Sequence, residues 1–179
     1  MDQIQIDQLN VNDVRQALVP LSEILRATVE AGGAIGFVHP VSQTQARSFW
    51  ALDVCSAMEC GDRLLWVACV EEDGQARPAG TIQLILSMPD NQPHRAELAK
   101  LMVAPWARRR GLARALVAAA EQAAVQAGRT LMTMDTRQGE GAETLYAAMG
   151  YEIAGIIPDY ALNPLGDGHH ATTLMYKYL

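Results

Sequence analysis

The chain has 179 residues, of which 50% are hydrophobic and 19% are charged. This length suits one domain over residues 1–179, with a core that folds without disulfides or a metal. Fourteen basic and 20 acidic residues give a net charge of −6, which argues against a general nucleic-acid-binding protein. No apolar run approaches the roughly 18 residues of a membrane span, and the N-terminus lacks the pattern of a secretory signal.

The cysteines and paired histidines predict neither disulfides nor a metal site. Cys55, Cys60 and Cys69 are odd in number and lack metal-ligand spacing, which indicates reduced thiols in a cytoplasmic protein. His169 and His170 lack a third ligand at metal spacing, so we expect them at the junction of a loop and a strand.

The N-terminal third of the chain predicts a strand followed by helices. Residues 4–9 alternate weakly and predict a first strand. Apolar residues then recur at helical spacing over residues 11–29, where Pro20 predicts a kink or two short helices. The glycine-rich loop at residues 31–37 precedes a second predicted helix over residues 42–58.

The rest of the chain alternates between strand and helix patterns, which is typical of a mixed α/β (α+β) domain. A turn at residues 71–74 separates the first two of these strands, and Gly128 is expected to end a helix that follows Gly111. The predicted strands cover residues 64–70, 79–86, 94–103, 130–136, 151–157 and 171–178, and a short helix covers residues 142–149.

The segment V-A-P-W-A-R-R-R-G-L-A, Val103 to Ala113, lies between a predicted strand and the start of a predicted helix. The first N–H groups of a helix have no intrahelical partner, and the helix dipole adds positive charge there. Gly111 lets a ligand approach the backbone closely, and Ala113 keeps the next turn nearly bare. Three arginines alone are typical of a solvated turn, but this context predicts a site for a phosphorylated ligand.

Two common phosphate-binding motifs do not fit this chain. The nucleotide-hydrolysing motif G-x-x-x-x-G-K-[ST] does not occur. Gly139-Glu140-Gly141 lacks the third glycine of a dinucleotide-binding motif and has an acid where a pyrophosphate would lie.

The arginine-glycine turn resembles the pyrophosphate motif Q/R-x-x-G-x-G/A of the GNAT (Gcn5-related N-acetyltransferase) family, with Arg108, Gly111 and Ala113 at its fixed positions. The flanking segments K-L-M-V-A-P at 100–105 and L-Y-A-A-M-G-Y at 145–151 resemble the same family. The resemblance implies one GNAT domain, with a mixed sheet of six or seven strands that splays between strands 4 and 5 and is flanked by helices. It also implies an N-acetyltransferase that uses acetyl-CoA.

Five further segments resemble a family member that acetylates the amino group of a β-lactam toxin, at residues 30–37, 64–67, 95–98, 134–136 and 157–161. The resemblance implies that the acceptor is the primary amine of a small molecule, such as an amino-acid-like toxin or antibiotic. It therefore also implies a role in antibiotic resistance. A protein or peptide N-acetyltransferase and a non-catalytic acetyl-CoA sensor are the alternatives. We expect a monomer or homodimer.

The resemblance places acetyl-CoA in the opening between the splayed strands. The pantetheine arm would bond to the backbone of Leu101, Met102 and Val103 like an added strand, and an N–H near Met102 or Val103 would polarise the thioester oxygen. The pyrophosphate would contact the arginine side chains and the backbone N–H groups of the turn. The residues expected there are Arg108, Arg109, Arg110, Gly111, Leu112 and Ala113.

An alkyl amine has a pKa of about 10 and must lose a proton before it attacks the thioester. Glu97 and Asp135, one on each splayed strand, are the candidate general bases, and either would act directly or through water. Tyr146 would contact the donor and protonate the departing CoA thiolate. The structural alternative for Glu97 and Asp135 is that they are simply polar residues on strand faces. For Tyr146 it is that the ring is a core residue. The loop over residues 32–37 is expected to form part of the acceptor wall.

Overall fold

Seven strands form one sheet in the order β1-β2-β3-β4-β5-β7-β6. The computed structural model describes residues 4–72 and 74–179. The strands are β1 (Ile4–Leu9), β2 (Arg63–Glu72), β3 (Gln75–Ile85), β4 (Arg95–Val103), β5 (Leu131–Arg137), β6 (Glu152–Leu162) and β7 (His169–Tyr178). Of these seven described strands, only β4 and β5 pair in parallel, and the other neighbours are antiparallel. The mixed seven-stranded sheet confirms the predicted α+β class.

The helices cover both faces of the sheet. One face, which we call the α2 face, carries α1 (Val11–Gln16), α2 (Leu18–Glu30), α3 (Gln43–Ser48) and α4 (Cys55–Glu59). The opposite face, the α5 face, carries α5 (Leu112–Gln126) and α6 (Gly141–Ala147). A π-helical turn at Phe49–Val54 joins α3 to α4, so the second predicted helix is present with a local change of pitch.

Strand β2 shows why the sheet has an apolar core on each face. Its residues 65–70 are all buried, as the continuous apolar run predicts. Successive side chains of a strand point to opposite faces. Accordingly, Leu65, Val67 and Cys69 pack with the α2 helices, whereas Trp66, Ala68 and Val70 pack with α5.

The predicted interruption of the first helix occurs at Ala17 rather than at Pro20. Ala17 ends α1 and precedes the first residue of α2. Pro20 is the third residue of α2, where a backbone N–H would have no intrahelical acceptor, so the missing donor costs little. Gly128, with a φ of +73°, follows the end of α5 as expected.

Several strands are longer than their local patterns predict. β3 begins at Gln75 because its first residues pair with the end of β2. β6 extends to Leu162, and β7 begins at His169. These two residues pair with each other at the end of the hairpin. The two histidines therefore begin β7. Asp73, in the predicted turn, lies outside the described residues.

Strands β4 and β5 pair over three residues only, ending at Glu97 opposite Thr133. A bulge in β4 interrupts its pairing with β3, and Lys100 within it has a φ of +53°. Beyond Glu97 and Thr133 the two strands diverge. We call the space between residues 98–103 of β4 and 134–137 of β5 the gap. It confirms the predicted splay between strands 4 and 5.

Candidate active site

The arginine-glycine turn lies between the end of β4 and the start of α5, as predicted. Pro105–Ala107 form a 3-10 turn, and α5 then begins at Leu112. The backbone has positive φ angles at Arg109 (+65°) and at Gly111 (+89°), and glycine adopts such angles without strain. Backbone turns with left-handed residues expose successive N–H groups and form concave sites for anions.

The N-terminus of α5 has no side-chain cap among the residues that the structure describes. Gly111 is the N-cap residue, and no side chain in residues 4–72 or 74–179 caps the first turn. The N–H groups of Leu112, Ala113 and Arg114 therefore keep their hydrogen-bonding capacity beside the positive end of the helix dipole. Among the described residues, an added Cβ at Gly111 would meet only Ile4 Cδ1, at 4.0 Å. Its role is therefore conformational and not one of close packing within the chain.

The free edge of β4 at Val103 faces the gap. Ala104 N donates to Ala79 O over 2.8 Å, so the backbone of Ala104 is directed towards β3. Backbone groups alternate in direction along a strand, which turns those of Val103 to the opposite side. Arg108 Nε donates to the Val103 carbonyl over 3.4 Å. The side chain of Met102 is buried on the α2 face.

The two candidate acids lie on the α2 face of the two splayed strands. Glu97 Oε2 forms an ion pair with Arg95 Nη1 at 3.3 Å, and the same Nη1 donates to Thr133 Oγ1 over 2.7 Å. Asp135 lies beyond the last β4–β5 pair, and its Oδ2 accepts from Thr172 Oγ1 over 3.1 Å. Each carboxylate is thus oriented by a neighbour.

Tyr146 lies on the other side of the sheet, in the core of the α5 face. It is 3% exposed, and its ring packs edge-on against Tyr151 with centroids 5.3 Å apart. Burial raises the pKa of Tyr146 well above its ordinary value, and the nearby charge of Asp135 raises this pKa further. The phenol consequently stays protonated at neutral pH and retains a proton that it can donate.

Lys100 was not among the residues predicted from the sequence, although it faces the same site. Its Nζ donates to the carbonyl of Ile35 over 2.9 Å and holds the glycine-rich loop against the α2 face. The pKa of Lys100 is lowered, mainly by burial and also by the charge of Arg63. The charges of Asp135 and Glu97 partly oppose this shift. In the sequence, Lys100 is the one charged residue of the otherwise apolar run L-A-K-L-M-V, and this position marks it.

Arg63 and Gln83 are two further polar residues of the α2 face that the sequence reasoning missed. Arg63 Nη1 donates to Gln83 Oε1 over 2.7 Å. Gln83 is fully buried, at 0% exposure. A buried amide alternating with Ile82 and Leu84 is unusual for a core strand and marks a polar site.

The cysteines and tryptophans lie apart from these residues. Cys55 and Cys69 are buried, Cys60 is exposed, and all three are free thiols. Burial raises the pKa of the Cys55 and Cys69 thiols, which makes them less reactive. Trp50 and Trp66 are core residues.

Within residues 4–72 and 74–179, no group of three or more histidine, cysteine, aspartate or glutamate residues could hold a metal ion. None of the helices formed by these residues is long and apolar enough to cross a membrane.

Residues 34–151 match the Acetyltransferase (GNAT) family. The chain is 32% identical over 136 residues to an uncharacterized N-acetyltransferase encoded in the hisH–hisA intergenic region of Azospirillum brasilense, an alignment that covers 75% of this chain and 74% of that protein. The chain therefore belongs to the GNAT family of N-acetyltransferases.

Solved structures share the fold along nearly the whole chain. A GCN5-related N-acetyltransferase from Kribbella flavida superposes with a TM-score of 0.77 at 22% identity, covering 98% of each chain. The yncA protein of Salmonella typhimurium, determined with its cofactor acetyl-CoA, superposes with a TM-score of 0.75 at 17% identity, covering 99% of this chain and 94% of that one.

Proposed function

We propose that this chain transfers the acetyl group of acetyl-CoA to the primary amine of a small molecule, by direct attack of the amine on the thioester. The observation that carries the proposal is the gap between β4 and β5. Acids line it on one face, a buried tyrosine lies on the other, and the uncapped N-terminus of α5 follows the end of β4. The complex of the yncA protein with acetyl-CoA supports the choice of donor.

The donor binds along β4 and across the arginine-glycine turn. The pantetheine arm pairs with the free edge of residues 101–103, and Val103 offers backbone groups on the side of the gap. The pyrophosphate receives N–H groups from residues 109–113, beside the positive end of α5. The guanidinium groups of Arg108 and its two neighbours add charge at the rim.

The acceptor approaches from the α2 face. Glu97 or Asp135 removes a proton from its ammonium group, and the neutral nitrogen attacks the thioester carbonyl carbon. A new C–N bond forms and the oxygen carries negative charge, which the N–H of Val103 stabilises. The C–S bond then breaks as Tyr146 gives its proton to the sulfur, and the amine nitrogen loses its second proton to solvent. The products are the amide and CoA.

Resemblance suggests the class of acceptor. The segments at residues 30–37, 64–67, 95–98, 134–136 and 157–161 resemble the tabtoxin resistance protein, which acetylates a toxin's amino group. We propose an amino-acid-like toxin or antibiotic as the acceptor, and resistance to it as the role. The three free thiols fit the reducing cytoplasm that we propose as the location.

The test measures CoA thiol release and acetylated products by mass spectrometry across a panel of small amines, amino acids and peptides. The proposal predicts acetyl-CoA-dependent acetylation of a small primary amine. Acetylation of peptides alone would replace the small-molecule acceptor with a protein acceptor. Tight acetyl-CoA binding without any transfer would indicate a sensor.

A further inference from the structure

Two buried hydrogen-bond donors on the α2 face lack an acceptor, and a third donor near them, Lys100 Nζ, has N–H groups to spare. Gln83 Nε2 and Arg63 Nε are buried and have no acceptor among the described residues. The partly buried Lys100 Nζ has three N–H groups and one observed acceptor, the carbonyl of Ile35. Buried polar groups in proteins are nearly always paired, so this excess of donors indicates a ligand that supplies acceptors.

The three residues form one neighbourhood. Arg63 Nη1 donates to Gln83 Oε1 over 2.7 Å. Gln83 pairs with Ala99, which precedes Lys100 in β4. Arg63 and Lys100 are also close enough that the charge of Arg63 lowers the pKa of Lys100.

The two cations of this neighbourhood lie near carboxylates but are not paired with them. Asp53, Asp62 and Glu97 act on Arg63, and Asp135 and Glu97 act on Lys100, through space. Even so, neither Arg63 nor Lys100 forms an ion pair within 4.0 Å in the part of the chain that the structure describes. Two neighbouring cations with these unpaired donors favour an anion with several acceptor atoms.

We propose that the acceptor carries a carboxylate beside its reacting amine, and that Lys100 and Gln83, supported by Arg63, bind this carboxylate on the α2 face. This inference rests on the proposed function. The candidate bases Glu97 and Asp135 lie on the same face, so an amino acid would direct its amine to the acids and its carboxylate to the donors. One site would then hold both groups of the acceptor at the opening to the thioester.

A carboxylate-binding site of this kind selects strongly against analogues that lack the group. An acceptor without a carboxylate leaves Gln83 Nε2 without an acceptor and Lys100 with its Ile35 hydrogen bond only. Sites built to bond a polar group reject analogues without it by large factors. We expect kcat/KM for a good amino-acid acceptor to exceed that of its decarboxylated amine by about 100-fold or more.

The test uses the wild-type enzyme, acetyl-CoA, and the common amino acids, each paired with its carboxamide and its decarboxylated amine. The inference predicts that the best acceptor is an amino acid, and that Lys100→Met lowers the ratio of its kcat/KM to that of the decarboxylated amine by at least about tenfold. This drop should come mainly from KM for the acceptor, with an unchanged Kd for acetyl-CoA. If Lys100 only holds the loop at Ile35, Lys100→Met should lower kcat/KM equally for the amino acid and for its decarboxylated amine.

Two further variants complete the experiment. Gln83→Glu keeps the side-chain volume but places a carboxylate oxygen where the amide nitrogen donates, so it should lower the same ratio even if Lys100→Met folds poorly. Arg47→Met, at an exposed position of α3, removes one positive charge elsewhere and should leave the ratio unchanged.

Equal kcat/KM for amino acids and their decarboxylated amines in the wild type would overturn the carboxylate inference while the proposed function stands. An unchanged ratio in both Lys100→Met and Gln83→Glu would overturn the assignment of these residues. If no primary amine in the whole panel is acetylated, the proposed function itself is wrong, and the inference is rejected with it.

Discussion

Glu97 and Tyr146 lie on opposite faces of the sheet, on the two sides of the gap. Ala96 and Leu98 point into the core of the α5 face together with Tyr146, so Glu97 between them points to the α2 face. The Glu97 carboxylate, proposed as a proton acceptor, and the Tyr146 phenol, proposed as a proton donor, thus lie on opposite faces of the sheet. The proposed reaction needs both groups, one for the acceptor amine and one for the departing sulfur.

Glu97→Gln and Asp135→Asn test the general base. Each removes a proton acceptor while keeping the side chain's size, and the variant of the true base should lose about 10²-fold or more in kcat. The base must be ionised to accept a proton, so wild-type activity should fall as pH decreases. The acidic side of this pH profile should change in the variant that lacks the true base. The measurement is the pH profile of CoA release.

Glu152→Gln is the matched control for these acids. Glu152 lies on β6 and accepts a hydrogen bond from Tyr176, on strands outside the gap. It should retain wild-type activity. If the pH profiles of Glu97→Gln and Asp135→Asn both match the wild type, neither residue is the base.

Tyr146→Phe tests the general acid. Removal of the hydroxyl should lower kcat by about tenfold or more, because the thiolate must then leave unprotonated or take its proton from water. The affinity for acetyl-CoA, measured by calorimetry, should change little. Tyr151→Phe, at the ring that packs against Tyr146, removes the same group from the neighbouring core position. Equal losses in both variants would indicate a packing role instead.

The buried tyrosines predict instability at high pH. Burial, as the main cause, raises the pKa of both Tyr146 and Tyr151 above the ordinary value of 10.0. Above about pH 10 the unfolded chain loses these protons while the folded chain keeps them, so the free energy of unfolding should fall as pH rises. Urea titrations between pH 8 and pH 11 measure this effect. Tyr146→Phe should make the free energy of unfolding fall less steeply with pH. The same slope in Tyr146→Phe and the wild type would contradict this prediction.

Gly80→Ala tests the close contact between β3 and β4. A Cβ at this position would lie 2.7 Å from the Met102 carbonyl oxygen and 3.3 Å from Val103 Cγ2. The strands must move apart there, which should lower stability by about 1–3 kcal/mol and weaken acetyl-CoA binding through the displaced edge of β4.

Gly155→Ala is the control for that variant. A Cβ at Gly155, on β6, meets no atom of the described residues within 4 Å. The substitution should therefore leave both Tm and acetyl-CoA affinity nearly unchanged. Normal stability and affinity in Gly80→Ala would show that β4 does not depend on this contact.

The sequence predicted the frame of the site because its local patterns are strong. The continuous apolar run of β2 and the turn at Gly111 depend on neighbours in the chain, and the structure places both as expected. The positions of Lys100 and Gln83 could not be predicted in this way. Their proximity results from a β4 bulge and from pairing between β3 and β4, both of which depend on contacts distant in sequence.

The α6 segment shows a further limit of sequence reasoning. The pattern L-Y-A-A-M-G-Y indicated a helix but left open which side of the sheet Tyr146 faces. That side is determined by the packing of Tyr146 against Tyr151 in the core of the α5 face.

A crystal structure of this chain with acetyl-CoA tests the central claim most directly. We predict the pantetheine arm along β4 with a hydrogen bond to the backbone of Val103, the pyrophosphate on the N–H groups of residues 109–113, and the thioester in the gap between Glu97 and Tyr146. Acetyl-CoA bound away from the gap, or with its thioester remote from both residues, would contradict the account.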